Sequence, residues 1–401
     1  MRALSHRNFR WFWAGALLSN SGTWMQTVAQ GWLVLQLTDS PFWLGFDSFM
    51  ATLPGLLLTL LGGVFADIVD RKRLLIYAQI GAGASALVLA LLVLFGVVNT
   101  AADVWIILVL SFVTGSCFAL AGPSYQAITI DLVGREDLSN ALALNSAQFQ
   151  FSRVVGPTLA GLGMKWFGLA GCFFVNALSF VAIIGALLKV RTGGTAPTPA
   201  RHNLWQDLLE GFRYVRGRPT VRLMLLMTAV VSLFGSPYLA LIPVFARDVY
   251  GWGEAGLSLL TGTAGAGAFV GSLLVAYVSD SRRKGFFLLG TVLTGAACLV
   301  GLALAARPWV GVLLLFGTGF SMVIFFSLTN MLLQSLVRDE MRGRVMSMWM
   351  FALIGSMPLG SFVGGAAAER YGAPLAVAAG GMVIALFGVG VALRGRRLRE
   401  M

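Results

Sequence analysis

Two charged side chains stand inside otherwise apolar stretches, and they define the chemistry this chain could perform. Asp47 is the only acid placed clearly within such a stretch, and Arg153 is the only base so placed. A carboxylate in apolar surroundings can take up and release a proton, and a guanidinium there can hold an anion. Asp47 follows Pro41 closely, which sets it roughly 9 Å into a helix; Arg153 precedes Met164, which sets it roughly 16 Å from the same face. The depth difference of about 7 Å is one that an extended arginine could cover if the two helices were neighbours. Four uses are open. The two charges form a static pair, or each is hydrated separately in a wet cavity. Alternatively, Asp47 takes a proton, releases Arg153, and so couples protonation to a conformational switch. Arg153 could equally meet an anion such as a catecholate. Asp131, at the end of the fourth apolar stretch, is the next acid in line as a proton carrier.

Neutral polar groups form a second set. Gln26 and Gln30 lie one helical turn apart on one face, with Thr23 and Thr27 alongside. Further along stand Tyr125 and Gln126, then Asn145, Gln148 and Ser152, then Asn330 and Gln334. At membrane depth such groups either face a cavity or bond between helices. Aromatic residues such as Trp24, Trp32, Tyr238 and Phe325 could stack on an apolar ligand, or else pack in the core or against lipid.

The elements that must position these residues are helices. The chain is 57% hydrophobic and only 11% charged, where an ordinary soluble domain is about 25% charged. Apolar stretches of about 20 residues recur throughout, long enough to cross roughly 30 Å of hydrocarbon. Turn and charge signals divide them into twelve helices: 11–37, 42–66, 74–97, 104–131, 138–164, 167–189, 220–246, 254–278, 286–304, 308–336, 343–367 and 373–393. Residues 11–37 read as a retained first helix, because no small-residue cleavage site follows the basic N-terminus. With both termini in the cytoplasm, cytoplasmic segments hold 24 of the 29 Lys and Arg, as the positive-inside rule requires.

Composition removes several function classes. The net charge of +12 sits in short clusters between apolar spans. No basic stripe with interleaved aromatics offers a platform for nucleic acid. Cys117, Cys172 and Cys298 are scattered through apolar spans, and the two histidines, His6 and His202, lie outside them. No disulfide framework, metal centre or catalytic dyad follows, no phosphate-binding glycine-lysine loop is present, and neither an enzyme activity nor a cofactor is expected.

The two halves repeat weakly. Asp70-Arg71-Lys72-Arg73 follows helix 2, and Asp280-Ser281-Arg282-Arg283-Lys284 follows helix 8, 210 residues on. Leu132-Val133-Gly134-Arg135-Glu136 is matched 204 residues on by Leu336-Val337-Arg338-Asp339-Glu340, and Gly156 maps to Gly360 at that offset. The expected organisation is a six-helix bundle over 1–189, a cytoplasmic linker over 190–219 that could carry a short surface helix, and a second bundle over 220–401. Duplicated bundles imply alternating access to a site between them near the midplane.

Gly63-Val64-Phe65-Ala66-Asp67-Ile68-Val69-Asp70-Arg71-Lys72-Arg73 resembles the loop 2–3 signature of the major facilitator superfamily. Gly63 permits close packing, and a carboxylate at Asp67 can cap a helix N-terminus. The resemblance implies that Gly63, Asp67, Asp70, Arg71 and Arg73 form a cytoplasmic gate against helix 11. The second-half copy carries Tyr277 and Val278 where the acid would stand. Gly156-Pro157-Thr158-Leu159-Ala160-Gly161 resembles the helix-5 motif of exporters in this superfamily, with Ala160 in place of a second glycine. Leu138 to Ser146, followed by Arg153-Val154-Val155-Gly156-Pro157, resembles the branch of bacterial enterobactin exporters and macrolide efflux proteins. The resemblance implies an all-α membrane protein of two pseudo-symmetric bundles in the bacterial inner membrane, working as a monomer. It implies export of an amphiphilic drug, toxic metabolite or siderophore against protons, with helices 1, 4, 7 and 10 lining the cavity. Gln26, Gln30, Tyr125, Asn145 and Asn330 are the cavity candidates. Uncoupled transport, or a membrane sensor that keeps the fold without turnover, is the alternative.

The charge count predicts a topology. Cysteines introduced at Lys165, Arg247, Arg307 and Arg370 should label from outside with an impermeant thiol reagent, and those at Arg71, Arg135, Arg213 and Arg283 should not. Cytoplasmic labelling at 307 would overturn the helix count.

Overall fold

A computed structural model describes residues 2–190, 204–278 and 284–394; the side chains of 59–68, 204–209, 276, 278 and 394 lie outside the description. The described chain is nearly all helix: α1 (Arg7–Thr38), α2 (Pro41–Ile68), α3 (Arg71–Leu94), α4 (Val104–Val133), α5 (Leu138–Lys189), α6 (Leu204–Arg216), α7 (Pro219–Gly235), α8 (Pro237–Val244), α9 (Glu254–Val278), α10 (Lys284–Leu304), α11 (Pro308–Leu336), α12 (Asp339–Tyr371) and α13 (Ala373–Arg394). Helices satisfy their backbone internally, which lipid demands of any spanning segment. Among the described residues, nine spans are long and apolar enough to cross a membrane. One of them, α5, runs for 52 residues and is broken at Gly168, and each of its two parts is long enough to cross. α1 and α2 have 32 and 28 residues, or about 48 and 42 Å of length.

Local chemistry sets the breaks. Gly168 takes φ 68° and ψ −175°, a conformation that residues with a Cβ rarely adopt. The turn expected at 165–166 therefore falls two residues later. Pro237 ends α7, because it has no N–H to continue the ladder onto Leu233. The helix expected over 220–246 is accordingly two segments, closed by a π turn over Phe245–Val249. Asp70 starts α3 by accepting the Arg73 backbone N–H at 2.9 Å. At the same end of that bundle, the Lys72 ammonium donates to the Leu188 and Val190 carbonyls where α5 stops.

The chain forms two compact units, one of 1–199 with 252–262 and one of 200–251 with 263–401. In the first unit α1 packs along α5, α2 along α4, and α3 against α4 and α5. In the second, α7 packs on α12, and α10 on α11 and α13. The contact points repeat between the units. A Cβ at Gly115 of α4 would collide with the Ala51 carbonyl of α2; 204 residues on, a Cβ at Gly319 of α11 would collide with the Ala264 carbonyl of α9. Gly156 seats α5 on α1 at Trp24 and Ser21, and Gly360 seats α12 on α7 at Leu233 and Ser236. Leu233 is the residue whose carbonyl Pro237 leaves without a helix donor, and the close Gly360 backbone covers it. Small residues at these crossings let the backbones approach where lipid supplies no hydrophobic drive.

Adding one methyl group tests these crossings. Gly360→Ala and Gly115→Ala should each destabilise the protein by about 1–3 kcal/mol through overpacking. Gly185→Ala, where a Cβ meets nothing within 4 Å, should be neutral or stabilising by up to about 1 kcal/mol. Unfolding in detergent measures both, and equal midpoints for Gly360→Ala and Gly185→Ala would refute the packing account.

Candidate functional site

Asp47 projects from α2 with 9% of its surface exposed. Its carboxylate is held by neutral donors. Gln30 Nε2 of α1 lies 3.0 and 2.9 Å from the two oxygens. Ser111 Oγ of α4 donates to Oδ1 at 2.6 Å, and Gln30 Nε2 also reaches Ser111 Oγ at 2.8 Å. The bonds continue behind Gln30. Gln26 Nε2 donates to Gln30 Oε1 at 3.4 Å, Asn176 Nδ2 to Gln26 Oε1 at 2.7 Å, and Ser179 Oγ to Asn176 Oδ1 at 3.0 Å. Every donor in this row points toward Asp47. An ionised carboxylate only accepts, so it forces Gln30 to present its NH₂, and the orientation propagates from amide to amide.

Arg153 does not reach Asp47. α2 packs on α4, whereas α5 packs on α1, and no ion pair joins the two charges. The guanidinium instead lies 5.2 Å over the Trp24 ring, and Nη1 donates to Gln150 Oε1 at 3.3 Å. In the helix-5 motif, Gly156 and Pro157 are buried. Pro157 leaves the backbone carbonyl of Arg153, one turn back, without its helix donor. Gly161 faces Ser258 at the start of α9; Gly161 also lines a cavity of about 380 Å³ in the first unit, together with residues including Trp32, Lys165 and Glu254.

The loop 2–3 motif divides. Asp70 caps α3, and Arg73 is exposed. Arg71 Nη1 lies 3.4 Å from Asp131 Oδ2 on α4, so the second acid candidate already has a cationic partner. Gly63 and Asp67 have side-chain positions outside the described residues. The Leu138–Ser146 run holds the N-terminus. Asn140 Oδ1 accepts the Ala3 N–H at 3.0 Å, His6 Nε2 meets Asp137 Oδ2 at 2.9 Å, and Trp13 Nε1 donates to the Leu144 carbonyl at 3.1 Å.

The remaining cavity candidates part company. Tyr125 packs at 5.0 Å on Phe12, against the core of the first unit. Asn145 donates to Thr129 Oγ1 at 3.2 Å, and its own carbonyl oxygen is buried without a partner. Asn330 accepts from Gln334 Nε2 at 2.7 Å and lines a cavity of about 770 Å³ in the second unit. Phe326, Met331, Arg342 and Trp349 also line it. Trp349 Nε1 is buried there without an acceptor. Among the described residues, no three His, Cys, Asp or Glu side chains come together as metal ligands.

Ser111, Asn176 and Ser179 belong to the Asp47 row and escaped the sequence reading. Asn176 carried a signal: it is the one amide between residues 167 and 189. The row also makes a testable coupling. Gln30→Leu leaves both Asp47 oxygens short of a donor, which costs roughly 1–3 kcal/mol. Removing the acceptor as well, in Gln30→Leu with Asp47→Leu, should cost less than the two single changes added together, by about 0.5–3 kcal/mol. Additive unfolding energies would dissolve the pair.

A family model described as a transmembrane secretion effector matches residues 1–401. The staphyloferrin A transporter of Staphylococcus aureus is 26% identical over 371 residues, covering 90% of each chain. The multidrug efflux pump Tap of Mycolicibacterium fortuitum is 28% identical over 401 residues, covering 96% of this chain and 95% of that one. The branch expected from the helix 4–5 region is borne out, since macrolide efflux proteins and enterobactin exporters are among the relatives. The crystal structure of the nucleoside transporter NupG superposes with a TM-score of 0.78 over 97% of this chain and 99% of that one, at 11% identity; at that identity the match shows the fold alone. Fold and family are those of transporters and not of enzymes. This chain belongs to the transmembrane secretion effector family of the major facilitator superfamily.

Proposed function

We propose that the protein is a secondary-active exporter of amphiphilic small molecules, driven by inward proton flow through Asp47. The observation that carries the coupling is the neutral surround of that carboxylate. Gln30 and Ser111 hold it, and no Lys, Arg or His among the described residues ion-pairs with it. Such a group has two well-bonded forms, an ionised one that accepts and a protonated one that donates. Asp131, bonded to Arg71, would have to give up an ion pair to cycle. Export is supported by the helix-5 motif and by relatives named as efflux pumps and exporters. A drug, a toxic metabolite and a siderophore all fit this reading.

The protein works as a monomer in the bacterial inner membrane with both termini in the cytoplasm. The bundles of 1–189 and 220–401, joined by 190–219, alternate access to the substrate. The Gln26–Gln30 pair in the first and the Asn330 cavity in the second contribute polar surface. Asp67, with Gly63 and Arg71, closes the cytoplasmic side.

Asp47→Asn imitates the protonated form. In sealed vesicles, proton-driven accumulation should collapse in this variant, while downhill exchange continues at a comparable rate. Macrolide and siderophore panels, assayed with and without an imposed pH gradient, provide the measurement. Full gradient-driven transport by Asp47→Asn would remove this residue as the proton carrier.

A further inference from the structure

Arg153 is a cation at membrane depth for which the described residues supply no counter-charge. It stands at the middle of the first segment of α5, fifteen residues from Leu138 and fifteen from the Gly168 break, or about 22 Å from either end. Arginines near helix ends can extend to the interface, but one at mid-span must find an anion, water or aromatic face where it is. The acids of the first bundle that could serve bond elsewhere. Asp47 bonds to Gln30 and Ser111, Asp131 to Arg71, and Asp137 to His6. What Arg153 has is the face of Trp24 and one hydrogen bond to Gln150 Oε1. Among the described residues, the other N–H groups of its guanidinium fork have no acceptor, and the side chain is only half-buried. A planar fork with open donors matches the two oxygens of a carboxylate, sulfonate or similar oxyanion.

The apolar surface beside it is aromatic. Phe149 stands edge-on to Trp24, with ring centroids 6.2 Å apart, and keeps 47% of its surface exposed. Gly156 locks Trp24 against α5 from the other side, since a Cβ there would collide with the Trp24 Cβ. Trp24 is thus held close to α5 at its Cβ, while Arg153 is partly exposed and Phe149 exposed. A charged head and a flat apolar body would be recognised one turn of helix apart.

We propose that Arg153, Trp24 and Phe149 form a binding site for an oxyanion-bearing aromatic amphiphile. This rests on the export reading for the claim that the occupant is a substrate, but binding itself does not depend on transport.

Two dyes that share an anilinonaphthalene body isolate the charge: 1-anilinonaphthalene-8-sulfonate is anionic, and N-phenyl-1-naphthylamine is neutral. Saturable fluorescence above that of protein-free phosphatidylcholine nanodiscs reads the affinity for each. R153Q should weaken the sulfonate by about tenfold or more, the scale of one charge-assisted hydrogen bond, and leave the neutral dye within about twofold. R153K, which keeps the charge but not the fork, should fall between wild type and R153Q and guards against misfolding as the cause. Equal loss of both dyes, unchanged sulfonate binding in R153Q, or loss in R342Q alone would overturn the site. Phosphatidylglycerol nanodiscs test the other source of an oxyanion. If that lipid abolishes the Arg153-dependent binding, the site belongs to a headgroup and the substrate assignment falls; persistence supports it. A protein that binds the sulfonate as expected yet moves no compound in vesicles would sink the export reading and leave this site standing.

Discussion

Hydrocarbon offers a polar atom nothing to bond to, and the backbone polar groups of the spanning helices have to be answered from within the chain. The long helices answer their own backbones. Where Pro237 breaks the ladder, the Leu233 carbonyl meets the close backbone of Gly360. Gly115 and Gly319, 204 residues apart, each admit a neighbouring carbonyl. The duplication seen faintly in the loops is therefore kept most faithfully at points where one hydrogen atom, and nothing larger, fits between two backbones.

The same shortage shapes the polar interior. Asp47 is answered by a row of groups from α1, α4 and the second segment of α5, all neutral and all donating in one direction. A buried ion pair would have fixed the charge state of the carboxylate, since breaking such a pair leaves a bare charge behind. Neutral donors hold it without that commitment. Arg153 shows the complementary arrangement, a charge held by an aromatic face and one amide. In both places the protein supports a charge but does not cancel it.

The sequence is most legible where a single residue type is irreplaceable. The helix over 308–336 keeps its expected limits and the one from 254 its expected start, because charges and a proline mark them. The amides Gln26 and Gln30 and the acid Asp47 stand out because hydrocarbon makes them conspicuous. Their union was hidden, since it depends on which helices are neighbours. Asn176 meets Gln26 across 150 residues of chain, and no local pattern encodes that. For the same reason Asp47 and Arg153 could be matched by depth yet not by helix, and depth alone suggests a pair that the packing of α2 on α4 forbids. Tyr125, a polar residue in a span, turned out to fill space beside Phe12.

The position of Asp47 along α2 also has an electrical meaning. It stands about 9 Å from the Pro41 end, roughly a third of a 30 Å hydrocarbon layer. A charge moved through the whole membrane exchanges about 2.3 kcal/mol per 100 mV. A proton arriving at Asp47 from the Pro41 end would fall through roughly a third of that, about 0.8 kcal/mol, and the larger remainder would be released only when the proton leaves toward the Ile68 end. The membrane voltage would then act mainly on the unloading half of a cycle, and the placement of one carboxylate along a helix would decide which step a cell's potential can accelerate.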